Sequence, residues 1–255
     1  MKYNVSVIMP SLNEEKNIAN AVKDVVYGLD KLNINGEIII VNDGSTDKTQ
    51  SIVNDLIKNY SNIKIINHDN PQGVGKSYWD GVKSSKYEII TWSPGDGENN
   101  PIEILKYLYL MEDVDIIVPY VYNREVRSKV RNLLSKLYKG MINISFGMVL
   151  NYMNGTVIMR KSILNNFTLK SYGFFFQTEL LIKTIRQGYL YAEVPYALNK
   201  RNFGKSKAVS LKSFITVIIS YFRMVFYVYF LVNKNKDIHR DSLTYKRRAL
   251  LNSDA

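Results

Sequence analysis

In the first half of the chain, short apolar runs alternate with longer stretches whose apolar residues recur at helical spacing. Residues 5–10 form one short run, and a helical pattern follows over about 14–32. Residues 37–42 carry the densest β-branched cluster, Ile38, Ile39, Ile40 and Val41, which predicts a strand buried on both faces. Helical spacing returns over 46–59 at Ile52, Val53, Leu56 and Ile57. Beyond it the pattern predicts a strand at 63–67, a helix at 75–83 and a strand at 87–92. A helix at 101–111, with proline at its start, and a strand at 115–119 follow. Strands separated by helices of this length predict an α/β fold with a mostly parallel central sheet, flanked by helices on right-handed crossovers. In such sheets ligands bind beyond the carboxyl ends of the strands. Asn13-Glu14, Asp43-Gly44-Ser45 and Asp96-Gly97-Glu98 all fall there.

The second half is less regular. Residues 124–147 read as basic and amphipathic, with Arg124, Arg127, Lys129, Arg131, Lys136 and Lys139. A helix is predicted at 180–187, ending at Gly188, and a strand at 190–195. Residues 214–232 are strongly apolar, interrupted only by Arg223, and 233–255 form a polar, basic tail expected to be loosely ordered. No internal repeat or low-complexity linker appears. The expected divisions are a domain at 1–210, a membrane-associating helix at 211–232 and the tail at 233–255.

Composition adds limits. A chain of 255 residues can bury one sizeable core, and 46% hydrophobic with 22% charged residues is globular rather than disordered. The absence of cysteine excludes disulfides and thiolate metal sites. Residues 1–10 carry a single early lysine and read as a strand, so no secretory signal is expected. A net charge of +11 calls for an acidic partner: nucleic acid, an anionic membrane or a phosphorylated ligand. No nucleic-acid module or aromatic stacking platform accompanies the charge, which sets nucleic acid aside.

Residues 92–101, Trp-Ser-Pro-Gly-Asp-Gly-Glu-Asn-Asn-Pro, put Asp96 and Glu98 on a tight turn at a strand's carboxyl end. Two carboxylates there suit a hard divalent cation; a plain polar turn is the alternative. In Asn42–Asp47, Ser45 and Thr46 can cap the next helix, with Asp47 in its first turn. That leaves Asp43 at the strand's end facing the cleft, able to accept from a base imino N–H or ribose hydroxyls. Residues 70–77, Asn-Pro-Gln-Gly-Val-Gly-Lys-Ser, imitate a P-loop, but Asn70 stands where that pattern needs glycine. Gly73 and Gly75 instead suggest a turn allowing close backbone approach to a ligand. No Gly-x-Gly-x-x-Gly follows the first strand, which counts against dinucleotide binding.

Taken together, Pro10-Ser11-Leu12-Asn13-Glu14, the 41–47 segment, Asn70–Gly75 and Gly95–Pro101 resemble, in order, the motifs of family 2 glycosyltransferases with the GT-A fold. Downstream, Glu179-Leu180-Leu181, Glu193-Val194-Pro195 and Arg201-Asn202-Phe203-Gly204-Lys205-Ser206-Lys207 resemble the dolichyl/polyprenyl-phosphate sugar synthase branch. The resemblance implies inverting transfer of a hexose from a GDP- or UDP-linked donor to a polyprenyl phosphate. It implies that Pro10, Asn13, Glu14, Asp43, Gly73, Gly75 and Asp96 bind the nucleotide sugar. Asp96 and Glu98 would hold Mg²⁺ or Mn²⁺; Asp96 matches the second Asp of the family's Asp-x-Asp motif, and Pro94 stands where the first belongs.

Acceptor chemistry follows from charge. A hydroxyl acceptor needs a general base, for which Glu179 is the candidate, whereas a phosphate monoester is already largely ionised and needs cations. Arg127 and Arg131, with Ser135 one helical turn on, could form one phosphate-holding face, and Arg201, Ser206 and Lys207 the other. The aromatic-rich 214–232 segment, with Lys205, Lys207 and Lys212 ahead and Lys234 and Lys236 behind, predicts an interfacial helix at the cytoplasmic face; a single span comes second and a core helix third. The alternatives are transfer to a hydroxyl of a lipid-linked or polysaccharide acceptor, and a sugar-nucleotide-binding module without turnover. The sugar and the oligomeric state are not legible in the sequence.

Overall fold

The computed structural model describes residues 3–165, 167–199, 211–231 and 238–253, with backbone only at 211 and 212. Its first half runs β1 (Asn4–Ser11), α1 (Ile18–Lys31), β2 (Asn35–Asn42), α2 (Thr49–Asn59), β3 (Ile63–Asn67), α3 (Val74–Ser84), β4 (Ile89–Trp92) and α4 (Pro101–Leu105). The second half adds β5 (Ile116–Val121), α5 (Lys129–Phe146), β6 (Ile158–Arg160), α6 (Phe176–Arg186), β7 (Tyr191–Tyr196), α7 (Leu211–Phe226) and α8 (Leu243–Ser253). The strands form one sheet in the order β3-β2-β1-β4-β6-β5-β7. Neighbours run parallel except at β6, which is antiparallel to both β4 and β5.

The β-branched run behaves as its composition requires. Ile39 and Val41 enter the cluster that also holds Ile8, Tyr78, Phe146 and Leu180, while Ile38 and Ile40 enter the cluster of Val7, Met9, Val22 and Val53 on the other face. Alternate residues of a strand point to opposite faces, so a run without polar interruption needs cover on both. The expected α/β sheet flanked by helices is what the chain forms.

Three local features differ from the sequence expectation. The 101–111 helix is two pieces: after α4 the bonds tighten to i→i+3, Tyr107 N–H to Ile104 O and Leu110 N–H to Tyr107 O, and Leu108–Glu112 forms a 3₁₀ turn. β6, only three residues long, carries no periodicity that could announce it. The 233–255 tail, expected to be loosely ordered, contains α8. The fully buried Asp115 accepts from Leu243 N–H (2.8 Å) and Thr244 N–H (3.0 Å), satisfying orphan donors at the start of α8. Asp115 also pairs with Arg160 at 3.1 Å, so one carboxylate ties the tail to the sheet.

Candidate active site

The strand order reverses at the β1–β4 pair: β2 and β3 build outward from one side of β1, and β4 lies against the other. Crevices at such a switch point, beyond the carboxyl ends, are where open α/β sheets bind ligands. The 93–100 turn closes this one. Ser93 N–H donates to Ile8 O (2.8 Å) and Gly95 N–H to Pro10 O (3.1 Å), prolonging the register of β4 along β1. A Cβ on Gly95 would run into Ser11 Oγ and Ile18 Cδ1, so any larger residue would have to displace these side chains for the turn to lie this close.

Past that contact the chain turns at Gly97, whose φ is +72°, and Asp96 Oδ1 accepts from Glu98 N–H at 3.1 Å. Asp96 and Glu98 are thereby held at the crevice mouth, both half-buried. The far side of the turn is fixed by Asn199, whose N–H donates to Glu98 O at 2.9 Å, beside a bridge between Asn99 and Leu198. Asn100 then caps α4, accepting from Ile102 N–H at 3.1 Å.

Arginines approach the turn from α5 and the segment before it. Arg131 Nη2 lies 3.5 Å from Glu98 Oε2. Arg127 donates to Tyr152 OH at 2.9 Å and sits over its ring. Burial works against the Arg127 charge, but Tyr152, Tyr196 and Glu98 outweigh it and hold its pKa above the ordinary value. Ser135, one turn beyond Arg131 on α5, is half-buried. Arg201, Ser206 and Lys207 lie outside the described residues.

The opposite rim is a lattice of backbone–side chain bonds between the loops after β1 and β2. Asn13 N–H donates to Ser45 Oγ (2.9 Å), Thr46 N–H to Asn13 Oδ1 (2.8 Å), Glu14 N–H to Thr49 Oγ1 (2.8 Å) and Glu15 N–H to Asp47 Oδ2 (3.1 Å). Asn13 holds a left-handed φ of +52°, which its short polar side chain tolerates. Glu14 is buried, its Oε2 accepting from Asn17 Nδ2 at 2.7 Å. Pro10, Asn13 and Glu14 thus stand together at the ends of β1 and β2.

Three expectations need correction. Asp43 does not present its carboxylate to the cleft. It is buried, and accepts from Gln72 N–H and Gly73 N–H, each at 2.8 Å, with His68 Nδ1 at 2.7 Å from Oδ1. Its role is to fasten the 70–73 loop to the end of β2. Gly73 and Gly75 allow a close backbone approach, but to the chain itself. Gly75 N–H donates to Tyr172 O at 2.7 Å, and a Cβ on Gly73, at φ +102°, would lie 2.5 Å from that same oxygen. Glu179 is not placed as a base: it is 2% exposed, paired with Lys183, and accepts from Lys170 N–H (3.1 Å) and Ser171 N–H (2.8 Å).

His68 carries no signal of its own in the sequence: it is one of two histidines in the chain and follows a short strand. Its side chain is 7% exposed and lies between Asp43 and Asp80, Nε2 being 3.1 Å from Asp80 Oδ2. Asp80 pairs in turn with Lys76. Residues 12, 25 and 29 apart meet here only through the β2–β3–α3 packing.

The model described as "Glycosyl transferase family 2" matches residues 6–168. Over 211 residues the chain is 27% identical to a dolichol-phosphate mannosyltransferase of Pyrococcus furiosus, covering 80% of this chain and 58% of that protein. It is 31% identical over 98 residues to a dolichyl-phosphate beta-glucosyltransferase of Trichomonas vaginalis (36% and 30% covered). It is also 34% identical over 113 residues to an uncharacterized Methanocaldococcus jannaschii protein (42% and 47% covered). The chain therefore spans under two thirds of the length of these relatives. In fold it is similar to Mycobacterium tuberculosis glucosyl-3-phosphoglycerate synthase in complex with Mg²⁺ and uridine diphosphate, with a TM-score of 0.67 at 18% identity over 87% of this chain and 79% of that one.

Proposed function

The chain belongs to glycosyl transferase family 2, and from that premise we propose that it moves a hexose, with inversion, from a GDP- or UDP-linked donor to a polyprenyl phosphate at the cytoplasmic face of a membrane. The observation that carries this reading is the contact of Glu98 with Arg131 at the β1–β4 crevice, with Asp96 held on the same turn by the Glu98 N–H and Arg127 close enough to feel the Glu98 charge. Carboxylates that can hold a diphosphate through a cation stand beside guanidiniums that can hold a second phosphate. The relatives named for dolichyl-phosphate chemistry support the same acceptor class.

In the proposed reaction an ionised oxygen of the acceptor phosphate attacks the anomeric carbon. A glycosyl phosphodiester forms as the bond to the nucleoside diphosphate breaks, and no proton has to be removed from the nucleophile. The burial and ion pairing of Glu179 support this over the hydroxyl-acceptor alternative, which depended on that residue as base. Pro10, Asn13 and Glu14 line the donor side, with Asp43, Gly73 and Gly75 holding its loop. Arg127, Arg131 and Ser135 serve the acceptor phosphate, joined in this proposal by Arg201, Ser206 and Lys207.

Asp96 and Glu98 fit a divalent cation. Mg²⁺ is usually held by one or two carboxylates, with waters and substrate phosphates completing its shell, so the pair suffices although the described residues hold no cluster of three acidic or imidazole groups. Bound there, Mg²⁺ or Mn²⁺ would neutralise charge on the departing diphosphate. Pro94 contributes no ligand, which leaves Glu98 as the second carboxylate.

The test is a donor screen by mass spectrometry with a short-chain polyprenyl phosphate, with and without metal. A glycosylated lipid phosphate that forms with Mg²⁺ or Mn²⁺ and vanishes in excess EDTA is expected. Saturable donor binding without turnover would identify a binding module instead, and full turnover in EDTA would refute the metal role.

A further inference from the structure

α5 carries an apolar stripe that the core does not use. Its inward face is short: Ile142 and Phe146 are fully buried, with Tyr138 half-buried against the same cluster. Val130, Leu133, Leu134, Leu137, Met141 and Ile144 are all exposed, Val130 at 68%, Leu137 at 63% and Ile144 at 86%. At about 100° per residue these six share an arc of about 100°, turned away from Ile142 and Phe146. An ordered row of six on one 18-residue helix is not the scatter of single apolar side chains that a soluble surface shows.

Charge on the same helix says what covers the stripe. α5 contains Lys129, Arg131, Lys136 and Lys139 and no acidic residue. α7 and the π turn that continues it, Tyr227–Leu231, likewise contain no carboxylate, and expose Phe214, Ile218, Phe222, Phe226 and Phe230. The two helices touch: Ser145 Oγ and Tyr221 OH are 2.7 Å apart, Tyr229 OH donates to Ser145 O at 2.5 Å, and Phe146 meets Tyr221 edge to face. A second copy laid symmetrically on α5 would set cations against cations. An anionic bilayer accepts both the apolar stripe and its cationic flanks.

We propose that α5 is a second membrane-docking element, lying flat in the headgroup region of an anionic bilayer alongside α7. Four cations in 18 residues rule out a span, whereas an apolar arc with Lys129 and Lys136 on one side and Arg131 on the other is the pattern of an interfacial helix. Because Arg131 sits on α5 within 3.5 Å of Glu98, docking this helix sets the crevice mouth at the level of lipid phosphates. This inference rests on the membrane reading of the proposed function, but vesicle binding tests it without any turnover.

The experiment compares the full chain with the triple variant Leu133→Gln, Leu137→Gln, Ile144→Gln. All three side chains are exposed, so the fold should hold, and a thermal melt checks this. Co-sedimentation uses vesicles of phosphatidylcholine alone or mixed with phosphatidylglycerol. The full chain is expected to favour the anionic vesicles, increasingly so at low salt, and the variant to bind about tenfold or more weakly although α7 is intact. The variant should keep turnover on a short, water-soluble acceptor while losing it on acceptor embedded in vesicles. Equal vesicle binding by both proteins overturns the proposal. So does a dimer in solution that the substitutions dissolve, because the stripe would then be an interface between copies. Weakened vesicle binding with no turnover by either protein on any acceptor upholds the docking role and removes the proposed reaction.

Discussion

Replacing Asp43 with asparagine exchanges one accepting oxygen for an NH₂ group that must face the Gln72 or the Gly73 N–H. A buried N–H left without its acceptor costs about 1–3 kcal/mol, so Asp43→Asn is expected to lower stability by that order in urea unfolding and to raise the KM for donor more than it lowers kcat. An unchanged KM would separate the 70–73 loop from donor binding. That Asp43 ends a strand is legible from Ile38–Val41 before it and the capping residues after it. Its use is not, because its partners Gln72, Gly73 and His68 arrive through tertiary packing. Glu179 is the same case: a polar residue near a motif looks catalytic until Lys183 and two backbone N–H groups account for it. Asp96 and Glu98 were readable as a pair because their turn is local, punctuated by Gly95 and Gly97.

Among the elements, those with long periodic patterns were legible and the short or tertiary ones were not. The five strands through 119 and their intervening helices follow from runs of apolar residues, whereas β6 has three residues and is defined by β4 and β5 on either side. The order of α8 depends on Asp115, 128 residues away in sequence, which no local pattern can report. Glu37 shows what such ties contribute. Burial pushes its carboxyl up, but the Lys86 N–H, the Ser6 hydroxyl and Lys64 together outweigh it and hold the pKa below 4.5. A depressed carboxylate stabilises the fold above its unfolded pKa and loses that contribution as pH falls through the folded value. The melting-temperature advantage of the wild-type protein over Glu37→Gln should therefore be full at neutral pH and shrink below about 4.5. An advantage that grows in acid would contradict the assignment of these ties as stabilising.

Over the whole molecule, charge and topology divide the work. The sheet places acidic chemistry at the β1–β4 crevice, while the net charge of +11 is carried in part by α5, a helix without carboxylates. Ser213–Leu231 is long and apolar enough to cross a bilayer, and 11% of it is buried, which argues against a core helix. The basic character of 124–147 was legible. The apolar arc was hidden, because which side of an amphipathic helix meets the core is decided by neighbours far along the chain, here Tyr221 and Met224. In the proposed reaction a phosphate, not a hydroxyl, receives the sugar. One measurement tests it: transfer from the accepted nucleotide sugar to a short-chain polyprenyl phosphate and to the matching polyprenol, under identical metal and detergent. Turnover on the phosphate and none on the alcohol is expected; equal or faster transfer to the alcohol would make a hydroxyl the acceptor and refute the proposed reaction.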